Sequence, residues 1–281
     1  MDFGVNIFPC EYSISPTVLG PELEERGFES LWVAEHSHIP RDRTAPWPGG
    51  DVLPQMYYDA MDPFVVLSAV AAVTEKLKVA TGIALVVQRD PIQTAKEVAS
   101  LDVLSKGRFL FGIGAGWSLE EMENHGTDPT RRFGLMRERI EAMKSIWANE
   151  ESEYHGAQVN FDPIISNPKP TQKPHPPIHV GGIFPGGLNR AVRYGNGWIP
   201  IAGRGEFNPK GWVEERNIAC ETAGRDPEEV EISIYGAPPD LSKLEALMNA
   251  GIDRVVFGLP PEGTEPVMSA LDSLTELKEN F

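Results

Sequence analysis

Along the chain, short runs of large apolar residues alternate with longer amphipathic stretches. The runs fall at 3–9, 30–36, 77–85, 108–116, 177–182, 197–201, 230–236 and 254–260. Most are continuously apolar rather than alternating, the pattern of parallel strands covered on both faces. The stretches between them carry helix signals. Asp62 with Pro63, and Asp90 with Pro91, each pair an N-cap with a first-turn proline, while Gly27 and Gly107 stand where helices stop. Eight such units in 281 residues predict an α/β fold of the (β/α)8 TIM-barrel type, one domain over 1–281. A doubly wound open sheet is the alternative, but it needs fewer strands and usually a GxGxxG near the start.

Two segments exceed an ordinary connection: 37–61, an insertion after strand 2, and 150–176, an insertion before strand 5. Long loops in compact domains are usually functional or disordered. The first follows a strand's C-terminal end, the side where barrel active sites form, and carries Trp47, Met56, Tyr57 and Tyr58. It reads as a lid or pocket wall, with a solvent-exposed insertion as the plainer alternative.

Composition narrows the partners. Hydrophobic residues make up 41% and charged residues 23%, as in ordinary globular proteins. A formal net charge of −16 repels nucleic acid and anionic membranes, so neither is expected as a partner. A small anionic ligand is still permitted, because local N–H groups and a few arginines decide that. The two cysteines, Cys10 and Cys220, are far apart and form no CxxC, which argues against a disulfide framework or a cysteine zinc site. No charged-then-apolar leader opens the chain and no apolar run nears the ~20 residues that span a bilayer, so a cytoplasmic location is expected.

The candidate chemistry lies at the strand ends: Cys10; Glu35 with His36 and His38; Gly82 with Ile83; Gly114, Gly116 and Trp117; Gly181 with Gly182. Several are glycines with no obvious turn role, which suggests a flat or phosphorylated ligand resting on main chain. The stretch GGIFPGG opens a helix near Gly187, whose free N–H groups attract an anion. Three readings of the histidines stand. His36 and His38 could ligate a metal, but GWIPI and VVFGLPP supply no further ligands and His179 sits inside its strand, so no metal site is assigned. His36 could simply hydrogen-bond main chain. Or it stands beside a ring cofactor as an acid–base partner, with Glu35 setting its tautomer or contacting substrate.

These residues, in this order, resemble the luciferase-like monooxygenase superfamily, and most of all its coenzyme F420-dependent oxidoreductase branch. The likeness runs through LWVAEHSHIP, DPFVVLSAVAAVTEKLKVATGIAL, RDPIQTAKEVASLDVLSKGRFLFGIGAGW, RRFGLMRERIEAMKSIW, PPIHVGG and GNGWIP, densest over 28–201. The resemblance implies a barrel, usually a homodimer, with a deazaflavin (F420) or alternatively FMN at its C-terminal mouth and a small organic substrate. By that comparison Glu35 and His36 take the acidic and histidine positions beside the reactive ring, although the acidic residue is often Asp in relatives. Gly82–Ile83 matches a non-prolyl cis peptide behind the ring. Gly116 and Trp117 border the sugar-alcohol chain and phosphate, Gly181 and Gly182 offer N–H groups to the phosphate, and Gly114 is counted with them as a cofactor-binding position. FMN branches often place an Arg after strand four and hydroxyl residues after strand five. Here Trp117-Ser118-Leu119 and Ile183-Phe184-Pro185 stand instead, a departure toward the deazaflavin. Arg89, Arg131 and Arg132 are available to an anionic tail or are plain surface charges.

Overall fold

The computed structural model describes all residues, 1–281. Its strands are β1 (Asp2–Ile7), β2 (Ser30–Val33), β3 (Lys78–Thr81), β4 (Ala84–Leu85), β5 (Phe109–Gly114), β6 (Glu151–His155) and β7 (Asn160–Ile165). They continue as β8 (Ile178–Gly181), β9 (Gly197–Ile199), β10 (Glu231–Tyr235) and β11 (Arg254–Gly258). The main sheet runs β3-β2-β1-β11-β10-β9-β8-β5-β4, and a further β3–β5 pairing closes it. Every ladder in it is parallel. β3 and β4 act as one barrel strand interrupted by Gly82–Ile83, whose peptide bond is cis. Across that break the register against β5 slips by one residue, from Ala80↔Leu110 to Ala84↔Ile113. It is thus a bulge, a device that re-aims side chains at barrel rims. With this break counted as one strand, the closed ring has the eight parallel strands of a TIM barrel, where the apolar runs placed them.

Around the ring lie α1 (Pro16–Glu25), α2 (Pro63–Ala72), α3 (Pro91–Leu104), α4 (Leu119–Asn124) and α5 (Arg132–Ala148). α6 (Gly186–Tyr194), α7 (Pro209–Thr222), α8 (Leu241–Ala250) and α9 (Thr264–Lys278) complete it. The expected caps form: the Asp62 carboxylate accepts from the Phe64 and Val65 N–H groups, and Asp90 from that of Gln93. No helix is long and apolar enough to cross a membrane.

The barrel interior is filled, not hollow. Trp32, Ala80, Leu110, Ile199 and Val256 form a buried layer, and Ile83 and Tyr235 pack on it. They place the floor of the mouth at the β3–β4 break and the end of β10. Segment 150–176 is not an irregular loop. It contains the antiparallel β6–β7 hairpin, laid against α5, where Glu138 accepts from the Gln158 and Val159 N–H groups. Pro163 and many charges masked it in the sequence. Proline is tolerated there because β7 pairs on one side only.

Beneath the Trp32 layer, the strand N-termini hold a polar plug built on Arg254, with His179 next to it. His179 is 1% exposed, edge-on to Trp32, and 3.8 Å from Glu231. Burial drives its imidazole down from 6.5 to about 4. A folded pKa below the unfolded one means that acid favours the unfolded chain. The contribution is complete above pH 6.5 and is lost as pH falls toward 4, about 3 kcal/mol in all. Calorimetry should show the melting temperature dropping through that window, with a flatter curve for His179→Asn. Equal slopes in the two proteins would contradict this.

Candidate active site

His36 lies just beyond β2, where the chain leaves the barrel wall. Its Nδ1 is 2.8 Å from Glu121 Oε2, with the ring 6% and the carboxylate 0% exposed. A buried carboxylate acceptor makes Nδ1 the protonated nitrogen and leaves Nε2 free to take or give a proton. Glu121 Oε1 accepts from the Ser37 N–H at 3.2 Å. The pair is roofed by aromatic rings: Tyr57 is 5.3 Å and Trp117 5.7 Å from the imidazole, and Tyr57 also meets Trp47 and Phe8. Segment 37–61 therefore lies over the mouth as a wall, and Tyr57 is its contact with His36. Tyr58 points to solvent at 49% exposure. The wall is pinned at its other end, where Thr44 N–H and hydroxyl and Ala45 N–H donate to Glu120 Oε1. The Thr44 hydroxyl and backbone N–H hold Glu120 at about 2, so the anchor is a carboxylate at any working pH.

Glu35 does not reach His36. Arg89 Nε donates to its Oε1 at 2.6 Å and Leu85 N–H to its Oε2 at 2.6 Å. Burial pushes the Glu35 carboxyl up, and Arg89 pulls it back. The tautomer-setting contact expected of Glu35 is thus made by Glu121, while Glu35 braces the end of β2 against β4. Arg89 is likewise unavailable to an anionic tail: it also binds Asp62 at 2.7 Å and Glu97 at 2.8 Å and lies over Phe64. A cavity of about 380 Å³ opens here, lined by Glu35, His36, Ser37, Asp62, Gln88, Arg89 and His125 among others.

The rim glycines have several separate causes. Ile83 fills the space at Gly114, where a β-carbon would lie 1.8 Å from Ile83 Cδ1, and it also borders Gly181 at 3.3 Å. Gly82 packs under Tyr235. Gly116 and Gly182 have φ of 77° and 133°, so both do have backbone reasons to be glycine. Gly82, Ile83, Gly114 and Gly181 therefore come together around one isoleucine, whereas Gly116 and Trp117 belong with His36. Gly182 belongs with a separate basic corner. Cys10 is buried beneath Phe8 and Met56 carbonyls, and burial pushes its thiol up, so it is an inert packing residue.

The basic corner sits at the N-terminus of α6. Arg190 and Arg132 approach the Phe133 ring, with their guanidinium carbons 4.3 Å and 4.7 Å from its centroid. A β-carbon on Gly182 would lie 3.0 Å from Arg190 Nη2. Arg132 Nη1 donates to the Pro129 carbonyl rather than to a carboxylate, and the Nε of each arginine is buried without a partner. Burial lowers Arg190, and the neighbouring Arg132 charge adds to that. Two uncompensated cations beside a helix N-terminus, in a chain of net charge −16, form an anion-receptive corner. Arg132 was legible in the sequence as a candidate; Arg190 was not, and Arg131 is exposed. Buried polar atoms without partners also cluster about the mouth: Tyr235 OH, Gln88 Nε2 and Ser118 Oγ. No group of three or more His, Cys, Asp or Glu side chains is arranged to hold a metal ion.

A TIM barrel with an imidazole–carboxylate pair at its C-terminal mouth, under an aromatic insertion after strand 2, defines a mouth-sited barrel protein with acid–base capacity. A profile described as "Luciferase-like monooxygenase" matches residues 19–239, and the chain belongs to that family of oxidoreductases and monooxygenases. It is 35% identical over 280 residues to an uncharacterized protein of Mycobacterium tuberculosis, covering 98% of this chain and 97% of that one. It is 31% identical over 187 residues to the F420-dependent glucose-6-phosphate dehydrogenase of Kineococcus radiotolerans, covering 66% of this chain and 51% of the relative. A third relative, the FMNH(2)-dependent dimethylsulfone monooxygenase of Pseudomonas putida, is 35% identical over 128 residues, 44% of this chain and 34% of that one. In fold, the chain is similar to the monooxygenase RslO1 of Streptomyces bottropensis, with TM-score 0.80, 21% identity, and 99% and 98% of the two chains covered.

Proposed function

We propose that this protein is an F420-dependent oxidoreductase that exchanges hydride between the deazaflavin and a small organic substrate. The observation that carries the reading is the buried His36–Glu121 pair with Nε2 left free beneath the Tyr57 and Trp117 rings. The residues present fit such a cofactor. The unpartnered Tyr235, Gln88 and Ser118 atoms offer hydrogen bonds to a polar ligand, and Arg132 and Arg190 offer charge to its anionic end. Support for the deazaflavin comes from the K. radiotolerans relative and from the absence of hydroxyl residues in Ile183-Phe184-Pro185. FMN is the second reading, favoured by the P. putida relative.

When bound, the cofactor supplies two-electron hydride chemistry. The chain does the rest. Tyr57, Trp47 and Trp117 keep water from the imidazole. Glu121 fixes the His36 tautomer, so that Nε2 holds or receives the proton that accompanies a hydride. Arg132 and Arg190 hold the ligand's anionic end, and Gly82–Ile83 presents Ile83 at the floor of the mouth. Absorbance titration with F420 and FMN side by side tests the assignment. Saturable binding of F420, tighter than FMN, is expected; preference for FMN moves the protein to the second reading, and binding of neither rejects both.

A further inference from the structure

A chain of hydrogen bonds links buried His36 to the protein surface. From Glu121 Oε1 it passes to the Ser37 hydroxyl at 3.5 Å, and from there to His125 Nε2 at 2.7 Å and His38 Nδ1 at 2.9 Å. Ser37 and His125 are exposed, His38 is half-buried, and the two histidine rings are 5.6 Å apart. The direction of these bonds follows from counting protons. The Asn124 side-chain amide faces His38 Nε2 at 2.8 Å and donates to it, so that nitrogen accepts. His38 therefore carries its proton on Nδ1 and donates to Ser37 Oγ. The hydroxyl has one proton left to give, and two acceptors within reach: Glu121 Oε1 and His125 Nε2. Ser37 is thus a node with two settings, one facing the buried pair and one facing solvent.

We propose that Ser37 and His125 form a proton relay that connects His36 to bulk water. The proposal rests on the hydride-transfer reading above. When a substrate hydroxyl is oxidised to a carbonyl, the C–H bond breaks, and a deazaflavin held at the mouth would supply the two-electron acceptor for its hydride. The O–H proton goes to His36 Nε2. The Nδ1 proton moves to Glu121 Oε2, and a half-turn of the carboxyl about its Cγ–Cδ bond brings it to Ser37 Oγ. The hydroxyl's own proton then passes to His125 Nε2, and from there to water. Reduction of a carbonyl runs the same bonds in reverse.

The neighbouring carboxylate shows what a static anchor looks like on the same helix. Glu120 Oε1 is held by three donors from Thr44 and Ala45 with no route onward. Glu121 has one oxygen on His36 and the other shared between the Ser37 backbone N–H and a hydroxyl that can turn away.

The relay can be read without substrate or cofactor, so its failure is separable from failure of the cofactor assignment. In protein carrying 15N-labelled histidine, NMR measures how fast the His36 Nδ1 proton exchanges with water. Exchange should slow at least tenfold in both Ser37→Ala and His125→Ala and recover in Ser37→Thr, which keeps the hydroxyl. A merely structural role for the Ser37 hydroxyl would leave exchange unchanged in His125→Ala, where that hydroxyl is still present. Unchanged or faster exchange in the two alanine variants would overturn the proposal.

Discussion

Replacing His36 by alanine should slow hydride exchange by about 10²–10⁴-fold, the usual contribution of a positioned acid–base group. The barrel should survive. Glu121 loses the partner on Oε2 but keeps the Ser37 N–H on Oε1, so the cost is that of one unsatisfied oxygen on a buried carboxylate, up to ~3–5 kcal/mol, within the ~5–15 kcal/mol stability of a folded chain. Cofactor affinity should change little on the proposed reading, in which Arg132 and Arg190 rather than His36 would hold the anionic end. Stopped-flow reoxidation of the reduced cofactor, with a panel of small carbonyl compounds and quinones as acceptors, reads the rate; titration reads the affinity. Glu121→Gln should lie between wild type and His36→Ala, since the amide can still accept from Nδ1 but no longer neutralises a charged imidazole. A His36→Ala enzyme with wild-type rates would remove the imidazole from the mechanism.

The largest stability effect is expected at the opposite end of the barrel. Arg254 is 1% exposed and binds Glu29 through Nε and Nη2 at 2.9 and 3.0 Å, and Glu231 and Ser233 through Nη1 at 2.7 and 3.0 Å. Although burial pushes Glu29 up, Arg254 and then Lys78 hold it down at about 2. Removing one partner of a buried ion pair leaves the other charge desolvated and costs ~3–5 kcal/mol. Arg254→Met should fall near the lower end, because the Glu231 side chain is 40% exposed and Lys78 remains on Glu29 at 2.7 Å. The pH dependence gives an internal check. A depressed carboxylate contributes stability above 4.5 that is lost as pH falls toward 2, so the gap between wild type and variant should narrow across that window. Urea unfolding at pH 7 and pH 3 measures both quantities. An equal gap at the two pH values would show that the plug acts by packing rather than charge.

The contrast between the two ends explains what could be read from the chain. Barrel strands were legible because parallel strands buried on both faces are apolar throughout, and Asp-Pro caps mark the helices that follow. His36 was legible because an imidazole after such a run has no packing reason to be there. Glu121 was not, since it lies in LEEMEN, where four polar residues read as a solvated helix face. Only its place beside buried Met122 hints that this edge of α4 turns inward. Arg190 was hidden in the same way within an amphipathic helix. The pairing of Arg89 is invisible in the sequence because its partners Glu35 and Asp62 are tens of residues away. Charge pairing across a fold leaves no local periodicity. The glycines are ambiguous for a different reason: some serve the backbone and others make room for Ile83, and sequence does not separate these from ligand contact.

The most direct measurement is a crystal structure grown with the deazaflavin. The expected result is a ring seated against Ile83, with His36 Nε2 turned toward its reactive edge and the phosphate-bearing tail between Arg132 and Arg190. A ring bound elsewhere, or an imidazole that keeps Glu121 but faces away from the bound cofactor, would contradict the assignment of this mouth as the redox site.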